Sequence, residues 1–158
     1  MTDQETRHSS EVFVERHPVI VKFEDELWRK LDAAGGEAIG LDALEYAAVC
    51  VMNFQVEVYN GGLHQYLSNS SGQYAADTPE VFIKIGAPRV AAILEEANRL
   101  LGDDGPPKDF MERNARLDAM DEAAEDRLDA LTDQFHEIED DGERVGDLFD
   151  SYVIAKQS

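Results

Sequence analysis

Apolar residues recur along this chain with the period of an α-helix, and no run alternates convincingly with the period of two that marks a strand. Val19, Phe23, Leu27 and Leu31, with Ile20 and Trp28 beside them, make a helical stripe that opens near Pro18 and stops at Gly35-Gly36. A second helix, richer in apolar residues, is predicted from Asp42 to Tyr59 (Leu44, Ala48, Val51, Met52, Gln55, Val58, Tyr59) and reads as the central buried one. It ends at Asn60-Gly61-Gly62. A short helix over 63–68 leads into the turn Asn69-Ser70-Ser71-Gly72. Another short helix follows, capped by Asp77 or Thr78, with Pro79 in its first turn, Val81, Phe82 and Ile85 inward, and Gly86 closing it.

Residues 87–101 form a strongly amphipathic helix (Val90, Ile93, Leu94, Ala97, Leu100, Leu101), ended by Gly102 and the loop 103–107. Beyond the loop, Leu117, Met120, Ala124, Leu128, Leu131, Phe135 and Ile138 fall on one helical face. Gly142 interrupts, and Val145, Leu148, Phe149, Tyr152 and Val153 make the last helix. With no internal repeat visible, the expected fold is all-α: a single-domain irregular bundle of about seven helices over 18–158, preceded by a flexible polar segment over 1–17.

Composition narrows the function. The chain has 158 residues, 43% of them hydrophobic, enough for one core. Its one cysteine, Cys50, lies in an apolar run, so neither an intramolecular disulfide nor a cysteine-based zinc site is available. The first residues show no apolar signal region, and no stretch approaches the roughly 18 apolar residues of a membrane span, so a cytoplasmic location is expected.

Charge changes the picture most. Against 14 Lys and Arg stand 34 Asp and Glu, a formal charge of -20. Residues 103–150 hold 18 acids and 5 bases. Such a field points away from nucleic acid and anionic membranes as ligands and toward basic protein surfaces. Asp118, Glu122, Glu125, Asp129 and Asp133 follow one another at three or four residues, a stripe well off the Leu117/Leu128 seam, which Asp126, Glu137, Asp140 and Asp141 extend. At helical spacing their Cβ atoms lie about 5–6 Å apart, close to the spacing of phosphates along a strand. Arg113, Arg116 and Arg127 are the cations near them in sequence. Two plainer readings exist: a solvated helix face, and a hydration shell for a salt-rich cytoplasm. The concentration of acid in 103–150 exceeds what uniform salt adaptation predicts.

Catalytic signatures are missing: there is no nucleophile elbow, phosphate loop, His-Glu-x-x-His or EF-hand pattern. His8, His17, His64 and His136 are dispersed. His136 has Glu137, Glu139 and Asp140 nearby, but adjacent residues on a helix point apart. The reading is therefore not an enzyme, with no cofactor and no metal.

The most specific local signal is Glu57-Val58-Tyr59-Asn60-Gly61-Gly62-Leu63-His64-Gln65-Tyr66-Leu67-Ser68-Asn69-Ser70-Ser71-Gly72, followed by Ile85-Gly86-Ala87 and Ala91-Ala92-Ile93-Leu94. Over roughly residues 25–155 the chain resembles the bacterial family typified by the Neisseria DNA-mimic protein. There a helix ending Glu-x-x-Asn-Gly-Gly leads to Gln-aromatic-x-x-Asn-Ser-x-Gly and then to an Ile-Gly-Ala turn. The resemblance implies an all-helical fold and, for the described member, an acidic dimer that occupies the DNA-binding face of a helix-turn-helix transcription factor.

From its residues, the segment has two accounts. In the structural one, Gly61 and Gly62 allow positive φ where the central helix stops, while Asn60, Gln65 and Asn69 bond the backbone groups freed there. In the other, Glu57, Asn60, His64, Gln65 and Asn69 line a polar pocket for a small ligand. The leading expectation is an acidic protein-binding module that mimics DNA toward a basic DNA-binding protein, such as a transcription regulator or nucleoid protein. Asp118, Glu122, Glu125, Asp126, Asp129 and Asp133 act in it as phosphate surrogates. A ligand-binding domain built around Glu57, Asn60, Gln65 and Asn69, and a salt-adapted module with no specific partner, are the alternatives. A homodimer is left open.

Overall fold

The computed structural model describes residues 16–157; apart from Arg16 and His17, the segment expected to be flexible lies outside the described residues. Among the described residues there are seven α-helices, one 3-10 turn and no strand. They are α1 (Pro18–Ala33), α2 (Ala43–Ser68), the 3-10 turn (Ser70–Tyr74), α3 (Thr78–Lys84), α4 (Pro88–Arg99), α5 (Phe110–Asp118), α6 (Glu122–Asp140) and α7 (Val145–Gln157).

Local chemistry starts the first two of these helices where the residue pattern places them. Pro18 opens α1, with His17 Nδ1 accepting from the Val19 N–H at 3.1 Å. Asp42 caps α2 in a reciprocal box. Its carboxylate accepts from the Glu45 N–H at 2.8 Å, and the Glu45 carboxylate accepts from the Asp42 N–H at 3.0 Å. Glu45 is only 3% exposed and also takes Lys30 Nζ at 2.7 Å, tying α1 to the start of α2. Asp42→Ala is expected to lower stability by about 1 kcal/mol, read as a lower urea midpoint with unchanged slope. An unchanged midpoint would show that the Glu45–Lys30 pair holds this junction without the cap.

Helix α2 runs through the middle of the bundle and packs against α3, α5, α6 and α7, while α4 lies on α3 and α6, and α1 on α7. Its centre is Phe54, fully buried, with Tyr66, Phe82 and Phe135 edge-on at ring separations of 5.1, 4.9 and 5.1 Å. Such T-shaped contacts favour the positive edge of one ring on the negative face of the next. The expected inward stripe of α2 placed Gln55 and Tyr59 inside and passed over Phe54. Tyr59 is half exposed, because a helix wrapped on several sides has no single apolar face to read. On α1, Ile20, Leu27 and Leu31 are buried, whereas Trp28 is 49% exposed.

Two further expectations are corrected. Asp77 stands at the start of α3, but its side chain does not cap it: the carboxylate accepts from Tyr46 Oη at 2.6 Å and Lys108 Nζ at 3.2 Å. The single helical face expected through 117–138 belongs to two helices. Asp121 caps a new start by accepting from the Ala124 N–H at 2.8 Å, and the chain turns at Ala119–Asp121. Leu117 reaches the core from α5, and Leu128, Leu131 and Phe135 reach it from α6.

Candidate functional site: the acidic face of α6

Glu122, Glu125, Asp126, Asp129 and Asp133 project from α6 and are exposed, opposite the buried Leu128, Leu131 and Phe135. Asp118, also exposed, is the last residue of α5 and so stands on the neighbouring helix rather than in the same row. None of the six makes an ion pair or side-chain hydrogen bond with a described residue.

The three nearby cations are engaged elsewhere. Arg127 leaves its own helix face to grip Glu96 of α4 through Nε and, at 2.9 Å, Nη2. That hydrogen bond holds the Glu96 carboxyl below the ordinary glutamate range. Arg116 binds Asp104 at 2.9 Å and the carbonyls of Leu101 and Gly105; its hydrogen bond likewise lowers the Asp104 carboxyl. Arg113 is fully buried. It donates Nε to Leu67 O at 2.6 Å, Nη2 to Asn69 O at 2.8 Å, and Nη1 to Pro107 O and Lys108 O at 3.1 and 3.0 Å. These three arginines therefore supply no ion-paired counter-charge to the acidic face, and no other described residue pairs with it.

Helix energetics do not account for these acids. Glu122 and Glu125 in the first turn of α6 are favoured by the helix dipole, but Glu137 and Asp140 sit at its negative end, where no basic residue offsets them. Asp129 has like charges at i−4 (Glu125), i−3 (Asp126) and i+4 (Asp133), each such pair unfavourable by about 0.2–0.5 kcal/mol.

The Asn-Gly-Gly segment positions this face. At Gly61 (φ −150°, ψ 15°) and Gly62 (φ 78°, ψ −174°) α2 breaks direction, and Gly62 is in the left-handed region that favours glycine. The freed Leu63 N–H donates to Thr132 Oγ1 at 3.1 Å, and a Cβ on Gly62 would lie 3.2 Å from Thr132 Cγ2. Thr132 is flanked by Leu131 and Asp133, so the glycine break is where α6 seats against α2. Nearby, Glu57 gathers two amides on one oxygen, Gln65 Nε2 at 2.8 Å and Asn69 Nδ2 at 2.9 Å. Asn60 and His64 are exposed and do not join that set.

Gly72, the last residue of the motif, has a use that residue order does not show. A Cβ there would collide with Arg113 Nε and lie 2.5 Å from Leu67 O, so the glycine makes room for the buried guanidinium. Arg113 and Gly72 were missed as a pair. Residue order offers no signal for the pair, since 41 positions separate Gly72 from Arg113 and Asp109, four residues before the arginine, suggests an ordinary surface ion pair instead.

Among the described residues no group of three His, Cys, Asp or Glu is placed to hold a metal ion, and no helix is long and apolar enough to cross a membrane. Burial pushes the Cys50 thiol up to about 11, so it stays protonated at neutral pH.

Helices packed on one apolar cluster, with a carboxylate face that has no ion pair among the described residues, define an acidic all-α protein. Residues 39–157 match the DMP19-like protein family, and the chain belongs to that family. The match begins just before α2, leaving α1 outside it. Comparison with curated proteins and with solved structures gave no match.

Proposed function

We propose that this protein is an acidic protein-binding module that occupies the DNA-binding surface of a basic partner, such as a transcription regulator or nucleoid protein. The family's name denotes a DNA mimic, and it is not a known enzyme family. The observation that carries the reading for this chain is the row of exposed carboxylates on α6, whose neighbouring arginines are all bound elsewhere.

Spacing supports it. From Glu122 to Asp133 the helix rises about 16 Å and carries five acids, one charge per roughly 4 Å, against one per about 3.4 Å along each DNA strand. The row is held on a helix anchored by Leu128, Leu131 and Phe135, so a partner's Lys and Arg meet charges already in position. Association steered by such a field is fast and weakens with salt.

The test is capture from the source cell's lysate on immobilised protein at low salt, with elution by duplex DNA. In parallel, the protein is titrated into the purified partner already bound to labelled DNA. Release of a DNA-binding protein by duplex, and displacement of the labelled DNA, are expected. If captured proteins resist elution by DNA, or the partner holds protein and DNA together, mimicry fails.

A further inference from the structure

Away from α6, a cleft of about 270 Å³ opens between α1, α2 and α7. Its floor is apolar: Ile20 and Leu27 from α1, Val51 from α2, Phe149 and Val153 from α7. Its rim is carboxylate, with Glu24 on one side and Asp147 and Asp150 on the other. Gly146 makes the polar wall possible, since a Cβ there would come 2.6 Å from Gln55 Nε2; without one, the Gln55 amide lies against α7 at the mouth.

One cation already stands at this mouth. Arg16 Nη2 donates to Glu24 Oε1 at 2.6 Å and lies 3.7 Å from Asp150 Oδ2. The pair is half exposed, so it holds Arg16 in place only weakly. Burial pushes the Asp150 carboxyl above the ordinary aspartate range; Arg16 opposes the rise, and Glu24 and Asp147 add to it. A part-buried carboxylate with acids on both sides favours any cation that reaches it.

We propose that this cleft is a binding site for an alkylguanidinium group, with the aliphatic stem on the Ile20–Val51–Phe149 floor and the guanidinium between Glu24 and Asp150, and that Arg16 is its resident, displaceable occupant. A planar guanidinium donates to two carboxylates at once and is weakly hydrated, which suits a half-closed site better than an ammonium. An apolar stem beneath a charged head is how such side chains cover apolar surface. The volume falls just below the roughly 300–1,000 Å³ of drug-sized sites, fitting one arginine side chain or its small-molecule equivalent. The site takes Arg16 and the α1 residues Ile20, Phe23, Glu24 and Leu27 from outside the family match, and does not depend on the α6 carboxylates.

The probe is n-butylguanidine, titrated at constant ionic strength into the wild-type protein and into Arg16→Ala, with amide shifts of Ile20, Gly146 and Asp150 read by NMR. Arg16→Ala is expected to bind at least about tenfold tighter than wild type, with the shifts confined to the cleft. Adding Asp150→Asn, or separately Glu24→Gln, to Arg16→Ala removes the response. An acetylated Gly-Arg-Gly amide run alongside separates the sources: equal binding admits an arginine presented by another protein, and binding of n-butylguanidine alone points to a free metabolite. No shift at the cleft amides in Arg16→Ala would overturn the site. So would a response that survives both Asp150→Asn and Glu24→Gln, since that would be general attraction to an acidic surface.

Discussion

Replacing Arg113 with leucine is expected to cost the fold about 3–5 kcal/mol, a large share of the stability of a domain this size. The guanidinium donates to four carbonyl oxygens, and two of them, Leu67 O and Asn69 O, lie at the C-terminal end of α2. That end carries the negative pole of the segment of α2 that follows the Gly61-Gly62 break, and its last turn has no basic residue. Arg113, with Asn114 Nδ2 on Ser68 O at 2.9 Å, therefore caps α2 from another helix. Leucine fills the volume but strands these buried carbonyls, and each loses its charge-assisted bond.

Arg113→Lys keeps the charge but cannot span four acceptors, and is expected to lose roughly half as much. Gly72→Ala tests the same contact from the other side, because its methyl group displaces the guanidinium. Urea unfolding of the three variants checks the scheme. A loss under about 1 kcal/mol for the leucine variant would mean that water replaces the side chain and that the cap contributes little.

The second large effect concerns binding. A variant with Glu125→Gln, Asp126→Asn, Asp129→Asn and Asp133→Asn is expected to bind the basic partner at least about fivefold more weakly, four exposed charge contacts amounting to roughly 1–4 kcal/mol. The same variant should unfold no more readily than the wild type. At low salt it should be more stable by up to about 1 kcal/mol, because the repulsions around Asp129 are relieved, with the gain fading as salt screens them. Titration calorimetry and urea melts at two salt concentrations read both quantities. Unchanged affinity would remove the α6 face from the interface. A variant destabilised specifically at high salt would instead mark the acids as a salt adaptation.

Much of the fold is legible in residue order because the controlling interactions are local. The end of α1 before Gly35-Gly36, the Asp42–Glu45 box, Pro79 and Pro88 in first turns, and the turn at Gly86 each act within a few residues of where they stand. The break between α5 and α6 was equally local, since Asp121 caps the new start, but the continuing apolar period across Met120 hid it. Asp77 was misread for another reason: its carboxylate is taken by Tyr46, 31 residues away, a competitor no local rule contains. Phe54 was passed over because periodicity finds the edge of an amphipathic helix and is silent on one that neighbours surround.

By itself the sequence determined that the chain is helical, that it is strongly acidic with the excess gathered in residues 103–150, and that a glycine pair breaks the central helix. Composition and short-range backbone preference suffice for these. Only the tertiary structure decided that the acidic face is bare. Arg113, Arg116 and Arg127 stand among the acids in order, yet their partners lie 46, 12 and 31 residues away, at Leu67, Asp104 and Glu96. Packing selects those partners, because a long cationic side chain goes where carbonyls or a carboxylate converge around it, and that convergence exists only once the helices have assembled.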